Sequence, residues 1–275
     1  MSQPRSELAH AKLNLVLQVG RPRTDGLHPI CSIFASIDLA DEVQVARAGS
    51  REDRVECPGV QGPNLAAAAL AAFRRRVPGL PPLHVRIAKR IPVAAGLGGG
   101  SADAAAVLRA ANAIAGEPLD GSRLREVAAE VGSDVPSQVE PRHAVVHGVG
   151  ELVETIELPP LAAVLVPQDE GLSTAAVYAQ LDRMEGWRRN LDPAPLRAAA
   201  DGDIAAGLEN DLQPATLALR PELGGVLDGL DAAGAAGALV SGSGPTCFGL
   251  FKDRAAAERA ARGIDGALVV QLRSP

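Results

Sequence analysis

PVAAGLGGGSADA, residues 92–104, decides how this chain is read. It follows LHVRIAKRI (83–91), whose alternation predicts a strand, and runs into an apolar stretch that predicts a helix through about Asn112. Glycines at 96, 98, 99 and 100 let the backbone approach a ligand closely and adopt positive φ. Ser101 is placed to cap the helix that follows. The first turn of a helix carries free N–H groups and a partial positive charge, so such a junction holds phosphate without needing a lysine. The plain alternative is a flexible turn in an Ala/Gly-rich chain, but four glycines in five positions are more than a turn needs. No GxxxxGK followed by Ser or Thr occurs, and GxGxxG fails because position 101 is Ser. HRD and DFG are also missing, which excludes a protein kinase.

Upstream, LAHAKLNLVLQV (8–19) predicts a strand. Ala11, Leu13, Leu15, Leu17 and Val19 form one face, and His10, Lys12, Asn14, Val16 and Gln18 the other. The Asp25-Gly26 turn signal separates it from ICSIFASIDL, giving a hairpin with a long connection. Weaker strand patterns cover 43–48 and 53–57. NLAAAALAAFRRR (64–76) predicts a helix capped by Asn64, with arginines in its last turn. Another helix is expected over 122–131. After Gly150 the pattern restarts: a buried strand at LAAVLVP, a helix at TAAVYAQLDRM, and two helical stretches around Pro221. The segment ALVSGSGPTCFGLF then predicts strand, glycine turn and strand, before a helix and a last strand. Strands and helices mix without a strict βαβα rhythm, so the expected class is α+β in two halves. The expected boundary lies near Pro159-Pro160, giving domains 1–157 and 158–275.

The 275 residues are 47% apolar and 22% charged, with a formal net charge of −6. That balance lacks the basic field that nucleic acid or an anionic membrane attracts. Cys31, Cys57 and Cys247 are odd in number and widely spaced, which argues against a zinc site or disulfide framework and for a reducing cytoplasm. Neither a signal peptide nor a membrane-spanning apolar run is read. Only three lysines occur, Lys12, Lys89 and Lys252, so each one's place is informative.

The loop resembles the P-x-x-x-G-L-G-S/G-S/G-S-A phosphate loop of the GHMP kinases, which phosphorylate galactose, homoserine, mevalonate and related alcohols. AKLNLVL (11–17), DGLHPI (25–30), SDVP (133–136), GVGE (148–151), NDLQP (210–214) and SGSGPTCF (241–248) are similar, in order, to markers of one branch. That branch acts on a CDP-linked methylerythritol in non-mevalonate isoprenoid synthesis. The resemblance implies a two-domain GHMP-kinase-like α+β fold with the active site in the interdomain cleft. It also implies ATP with Mg2+ as phosphate donor and the 2-hydroxyl of that small molecule as acceptor. A cytoplasmic enzyme, monomeric or weakly dimeric, is expected, with no nucleic-acid or membrane partner.

Carried onto this chain, the resemblance makes Lys12 and Asp134 the catalytic pair. Lys12 would neutralise charge near the γ-phosphate, and Asp134 would take the hydroxyl proton. Without the resemblance, Lys12 reads equally as an edge-strand charge and Asp134 as a helix cap. The ATP-binding set is Pro92, Val93, Ala94, Ala95, Gly96, Leu97, Gly98, Gly99, Gly100, Ser101 and Ala102, with Asn64 and Lys89 on the adenine side. Asn14, His28, Thr174 (or Ser173) and Tyr178 would contact the acceptor, His28 and Tyr178 at its cytosine ring. No metal-ligand cluster is read, and Ser101 is a metal ligand only by analogy with wider family members. One departure stands out: Leu27 occupies the place of the aromatic usual between Gly26 and His28. Another small alcohol, or a non-catalytic binding module, are the competing readings; retention of Lys12 and Asp134 argues against the module.

Overall fold

The computed structural model describes residues 4–273 apart from 61, 201 and 203. In chain order come strands β1 (Arg5–Val19), β2 (Ile30–Arg47) and β3 (Arg54–Glu56), helix α1 (Leu65–Arg76) and strand β4 (Leu83–Ala88). Helices α2 (Gly99–Ile114), α3 (Gly121–Ala129) and α4 (Val135–Gln138) follow, then strands β5 (Ala144–Gly148), β6 (Leu152–Thr155) and β7 (Ala162–Val166). The remainder is α5 (Thr174–Met184), α6 (Ala194–Ala200), β8 (Glu209–Asn210), α7 (Gln213–Leu219), α8 (Leu223–Ala232), β9 (Ala238–Val240), β10 (Cys247–Phe251), α9 (Arg254–Ala261) and β11 (Leu268–Gln271). The class is α+β, as the patterning predicts. None of the described helices is long and apolar enough to cross a membrane.

The chain forms two compact units. The first contains Met1–Ala11, Leu39–Val93 and Gly98–Pro141; the second contains Lys12–Asp38, Ala94–Leu97 and Arg142–Pro275. This partition by packing differs from a single division at residue 157. The reason lies in β1 and β2, long strands that each contribute one part to each unit. The two strand patterns expected at 30–39 and 43–48 are one continuous strand, β2.

In the first unit, the end of β2 pairs antiparallel with β4 from Glu42↔Ala88 to Arg47↔Leu83, and β3 runs parallel to β4. Val43, Val45, Leu83 and Val85 meet Leu70 and Phe73 of α1 and Val107 and Leu108 of α2 in one core. Helix α1 buries Ala66, Ala69, Leu70 and Phe73, an i, i+3, i+4, i+7 stripe. Its Asn64 cap forms as expected, with Oδ1 accepting from the Ala66 amide at 2.8 Å. Replacing Asn64 with alanine should cost about 1 kcal/mol of stability, read by urea unfolding. A loss below about 0.3 kcal/mol would mean that the cap contributes little here.

Ser101 does not cap α2. The N-cap position is Gly98 at φ 70°, and Ser101 lies inside the first turn. A left-handed glycine turns the chain directly into the helix, so the side-chain capping position is already passed when the serine is reached.

In the second unit, the start of β2 pairs antiparallel with β5 from Ile30↔Gly148 to Phe34↔Ala144, and β5 pairs with β6. β8 joins β1 in parallel at Val16↔Glu209 and Leu17↔Asn210. A separate sheet runs β11-β7-β10-β9, all antiparallel. Leu223, Leu227 and Leu230 of α8 and Ala257 of α9 pack with Val164, Val240 and Phe251 of that sheet. Cys31 and Cys247 are buried and Cys57 partly so, and all three are free thiols. Burial pushes Cys31 to about 11 and Cys247 to about 12, so both remain protonated and unreactive near neutral pH.

Candidate active site

β1 brings Lys12 and Asn14 to one face, two residues apart. Both are buried, at 5% and 2% exposure, so Lys12 is no solvated edge charge. Its ammonium donates to Asn14 Oδ1, and at 3.3 Å to the carbonyl of Gly96. The Asn14 amide is oriented from behind: Nδ2 donates to Ser32 Oγ at 3.0 Å, and Ser32 donates onward to the Val16 carbonyl. The Lys12 N–H donates to the Leu97 carbonyl at 3.0 Å. The central residues of the glycine loop are thereby tied to the strand that carries the lysine.

The second glycine turn packs against the same loop residues. Ser241 Oγ donates to the Gly96 carbonyl at 3.1 Å, and the Thr246 N–H reaches the Ala95 carbonyl at 3.4 Å. A Cβ at Gly242 would lie 3.1 Å from Asn14 Oδ1 and 3.5 Å from Lys12 Nζ. Asn210 holds this turn, with Nδ2 donating to the carbonyls of Val240 and Gly242, each at 2.8 Å. The sequence alone does not single out Ser32, Asn210 or Ser241. Their roles are hydrogen bonds across long sequence separations, which no local pattern announces.

Elsewhere in the second unit, His28 and Tyr178 come together, with ring centroids 5.0 Å apart and tilted at 47°. His28 Nε2 and Asp182 Oδ1 of α5 are 2.9 Å apart. Asp182 lies one helical turn beyond Tyr178, so one face of α5 presents both groups. Leu27 is 53% exposed beside His28. Thr174 Oγ1 lies 2.9 Å from Ser243 Oγ, which links the start of α5 to the second glycine turn.

The first unit holds Pro92, Val93, Gly98, Gly99, Gly100, Ser101 and Ala102, with Val93 exposed. Leu65, at the start of α1, lies 3.6 Å from the place a Cβ would take on Gly100. Asn64 therefore stands one residue from a contact with the loop glycines. Lys89 sits between two carboxylates, 2.7 Å from Asp103 Oδ2 and bonded also to Asp41 Oδ2. Burial works to lower the Lys89 pKa, but Asp103 and Asp41 outweigh it and raise it. Asp134 is half-buried at the N-cap position of α4, where its side chain makes no capping bond. Its carbonyl accepts from Ser137 Oγ at 2.8 Å.

The chain matches the N-terminal domain of GHMP kinases over residues 64–140 and their C-terminal domain over residues 195–269. It is 45% identical over 269 residues to the 4-diphosphocytidyl-2-C-methyl-D-erythritol kinase of Anaeromyxobacter sp. (strain K), covering 94% of this chain and 84% of that protein. A protein of the same name from Thermobifida fusca (strain YX) is 44% identical over 261 residues, covering 86% and 83%. The crystal structure of a 4-(cytidine 5'-diphospho)-2C-methyl-D-erythritol kinase superposes with a TM-score of 0.82 at 34% identity, covering 98% of this chain and 100% of that one. Homoserine kinase from Cytophaga hutchinsonii shares the fold, with a TM-score of 0.73 at 18% identity over 99% of this chain and 95% of its own. With both halves matched, and with relatives this similar over nearly the whole length, the chain belongs to the GHMP kinases, in the family of the 4-diphosphocytidyl-2-C-methyl-D-erythritol kinases.

Proposed function

We propose that this chain transfers the γ-phosphoryl group of ATP to the 2-hydroxyl of 4-diphosphocytidyl-2-C-methyl-D-erythritol, a step of non-mevalonate isoprenoid precursor synthesis. The observation that carries the reading is the buried Lys12 ammonium, held by Asn14 and the Gly96 carbonyl beside the second glycine turn. Burying a cation is costly unless it is paired and hydrogen-bonded, so the fold invests in holding this ammonium in place. In this reading residues 1–157 form the ATP-binding half and residues 158–275 the second half.

The loop Pro92–Ala102 and the first turn of α2 hold the phosphates through backbone N–H groups. Asp134 accepts the proton of the 2-hydroxyl as its oxygen bonds to the γ-phosphorus. The bond from that phosphorus to the β-phosphate bridging oxygen breaks, and ADP leaves. Lys12 steadies the negative charge that develops on the transferring group. Asn14, besides orienting Lys12, offers its remaining amide proton to the substrate. Magnesium bound to ATP would neutralise phosphate charge.

His28 and Tyr178 favour a cytidine acceptor over homoserine or mevalonate. A tilted imidazole–phenol pair offers a stacking face and a hydrogen-bonding edge for a base. Leu27 gives apolar cover without a ring. Restoring the ring with Leu27→Tyr should lower KM for the CDP-linked substrate roughly 5-fold, about 1 kcal/mol of stacking. An unchanged or higher KM would contradict this placement.

Phosphorus NMR of the product made with Mg-ATP tests the reaction itself. The new signal should be a phosphate monoester coupled to the tertiary 2-carbon position, and Asp134→Asn should abolish it. A phosphoanhydride product, or full activity in Asp134→Asn, would refute the assignment.

A further inference from the structure

Lys89 is not placed as a cation waiting for a ligand. Asp41, on β2 and fully buried, accepts from the N–H groups of Arg90 and Ile91 through Oδ1, at 2.5 and 2.8 Å. Its Oδ2 takes the Lys89 ammonium, which donates also to Asp103 Oδ2 at 2.7 Å. Asp103 is the fifth residue of α2 and is 3% exposed. The residues that lead into the glycine loop and the helix that follows it are therefore joined through one ammonium. Gly99 seals the same junction: a Cβ there would meet Ile91 Cγ2 at 3.0 Å and Lys89 Nζ at 3.3 Å.

We infer that Asp41, Lys89 and Asp103 form a clamp that fixes the two ends of the loop Pro92–Gly98, and that these three are positioning residues for ATP rather than nucleotide contacts. The inference rests on the loop's holding the ATP phosphates, as proposed above. A loop with two glycines, Gly96 and Gly98, is costly to order by itself, since glycine loses the most backbone freedom. Pinning its ends sets the span that its free N–H groups must bridge. The ammonium offsets the charge of both buried carboxylates, alongside the two backbone N–H groups on Asp41. Burial, with neighbouring Asp41, raises Asp103 to about 7 against the pull of Lys89. In either protonation state the Oδ2 contact with Lys89 remains available.

Steady-state kinetics separates the clamp from both a direct ligand and a merely structural feature. Asp103→Ala and Lys89→Met should each raise KM for ATP roughly 10-fold and leave KM for the CDP-linked substrate within about 2-fold. The double variant should be no worse than either single one, because both break one device. Asp103→Asn, which keeps an acceptor for Lys89, should restore KM for ATP to within about 2-fold of the parent. Removing Lys89 leaves two buried carboxylates without their cation, which endangers folding. Gly99→Ala wedges the junction without changing any charge, and it should raise KM for ATP in the same way. Additive effects of Lys89→Met and Asp103→Ala would overturn the clamp in favour of direct nucleotide binding. An unchanged KM for ATP in both Asp103→Ala and Gly99→Ala, with only the active fraction falling, would overturn it in favour of a purely structural role. Gly98→Ala, in the loop itself, tells the two failures apart. If it raises KM for ATP and the clamp variants do not, only the clamp fails; if none of them raises it, the phosphate-loop reading fails as well.

Discussion

Lys12→Met is expected to lower kcat by roughly 10²–10³-fold while the protein stays folded. The methionine keeps most of the aliphatic stem and loses the ammonium, which lies 4.9 Å from the Phe34 ring centroid. It removes only the charge and the donors. The ground state loses the hydrogen bonds to Asn14 and Gly96, at about 1 kcal/mol each, so a moderate fall in stability accompanies the kinetic loss. The decisive comparison is between kcat and the thermal midpoint. Phosphoryl transfer depends on stabilising charge that grows on the transferring oxygens, and a preorganised ammonium does this without reorientation. A variant with a lowered midpoint but a kcat within about 3-fold of the parent would leave Lys12 a structural residue.

Gly96→Ala should be nearly as damaging, for a steric reason. Gly96 has φ 75°, and a Cβ there would lie 2.3 Å from the Ser241 carbonyl oxygen and 2.9 Å from that of Gly244. Both obstacles are backbone, so neither can swing aside. The alanine must push the glycine loop and the second glycine turn apart and carry the Lys12 acceptor with it. A displacement near 1 Å at a reacting centre costs on the order of 10²-fold in rate. Gly266→Ala is the matched control: Gly266 has φ 69° but nothing within 4 Å of a new Cβ. It carries only the left-handed penalty of about 1–2 kcal/mol. Equal activity in the two variants would mean that the contact between the glycine turns is not needed for turnover.

The elements that local pattern controls were legible in advance. The Asn64 cap, the α5 boundaries and the β7 strand follow from spacing and capping chemistry alone. The helical start after the glycine loop was legible as well, but its cap was not, because a left-handed glycine does there what a serine side chain does elsewhere. The continuity of β2 was hidden by Asp38, Asp41 and Glu42, which look like a break in an apolar run. Asp41 is wholly buried because it takes two backbone N–H groups and an ammonium, a compensation that only the folded chain reveals.

The candidate site shows the same division. Lys12 and Asn14 share a face because alternation in a strand requires it, and the glycine loop announces itself by composition. Asp182 beside His28, Ser32 behind Asn14 and Asn210 under the second turn are separated from their partners by 154, 18 and 30–32 positions. No window along the sequence brings such pairs together. Lys89 was legible as a rare lysine next to the loop, but its two carboxylate partners were not.

The most direct measurement is the initial rate of ADP release by the purified protein with Mg-ATP and, in separate reactions, 4-diphosphocytidyl-2-C-methyl-D-erythritol, homoserine or mevalonate at equal concentration. Turnover is expected with the CDP-linked alcohol, with the other two at least about 10²-fold slower, because neither carries a base for the His28–Tyr178 pair proposed to hold one. Faster turnover of homoserine or mevalonate, or no turnover of any acceptor while ATP still binds, would contradict the proposed reaction.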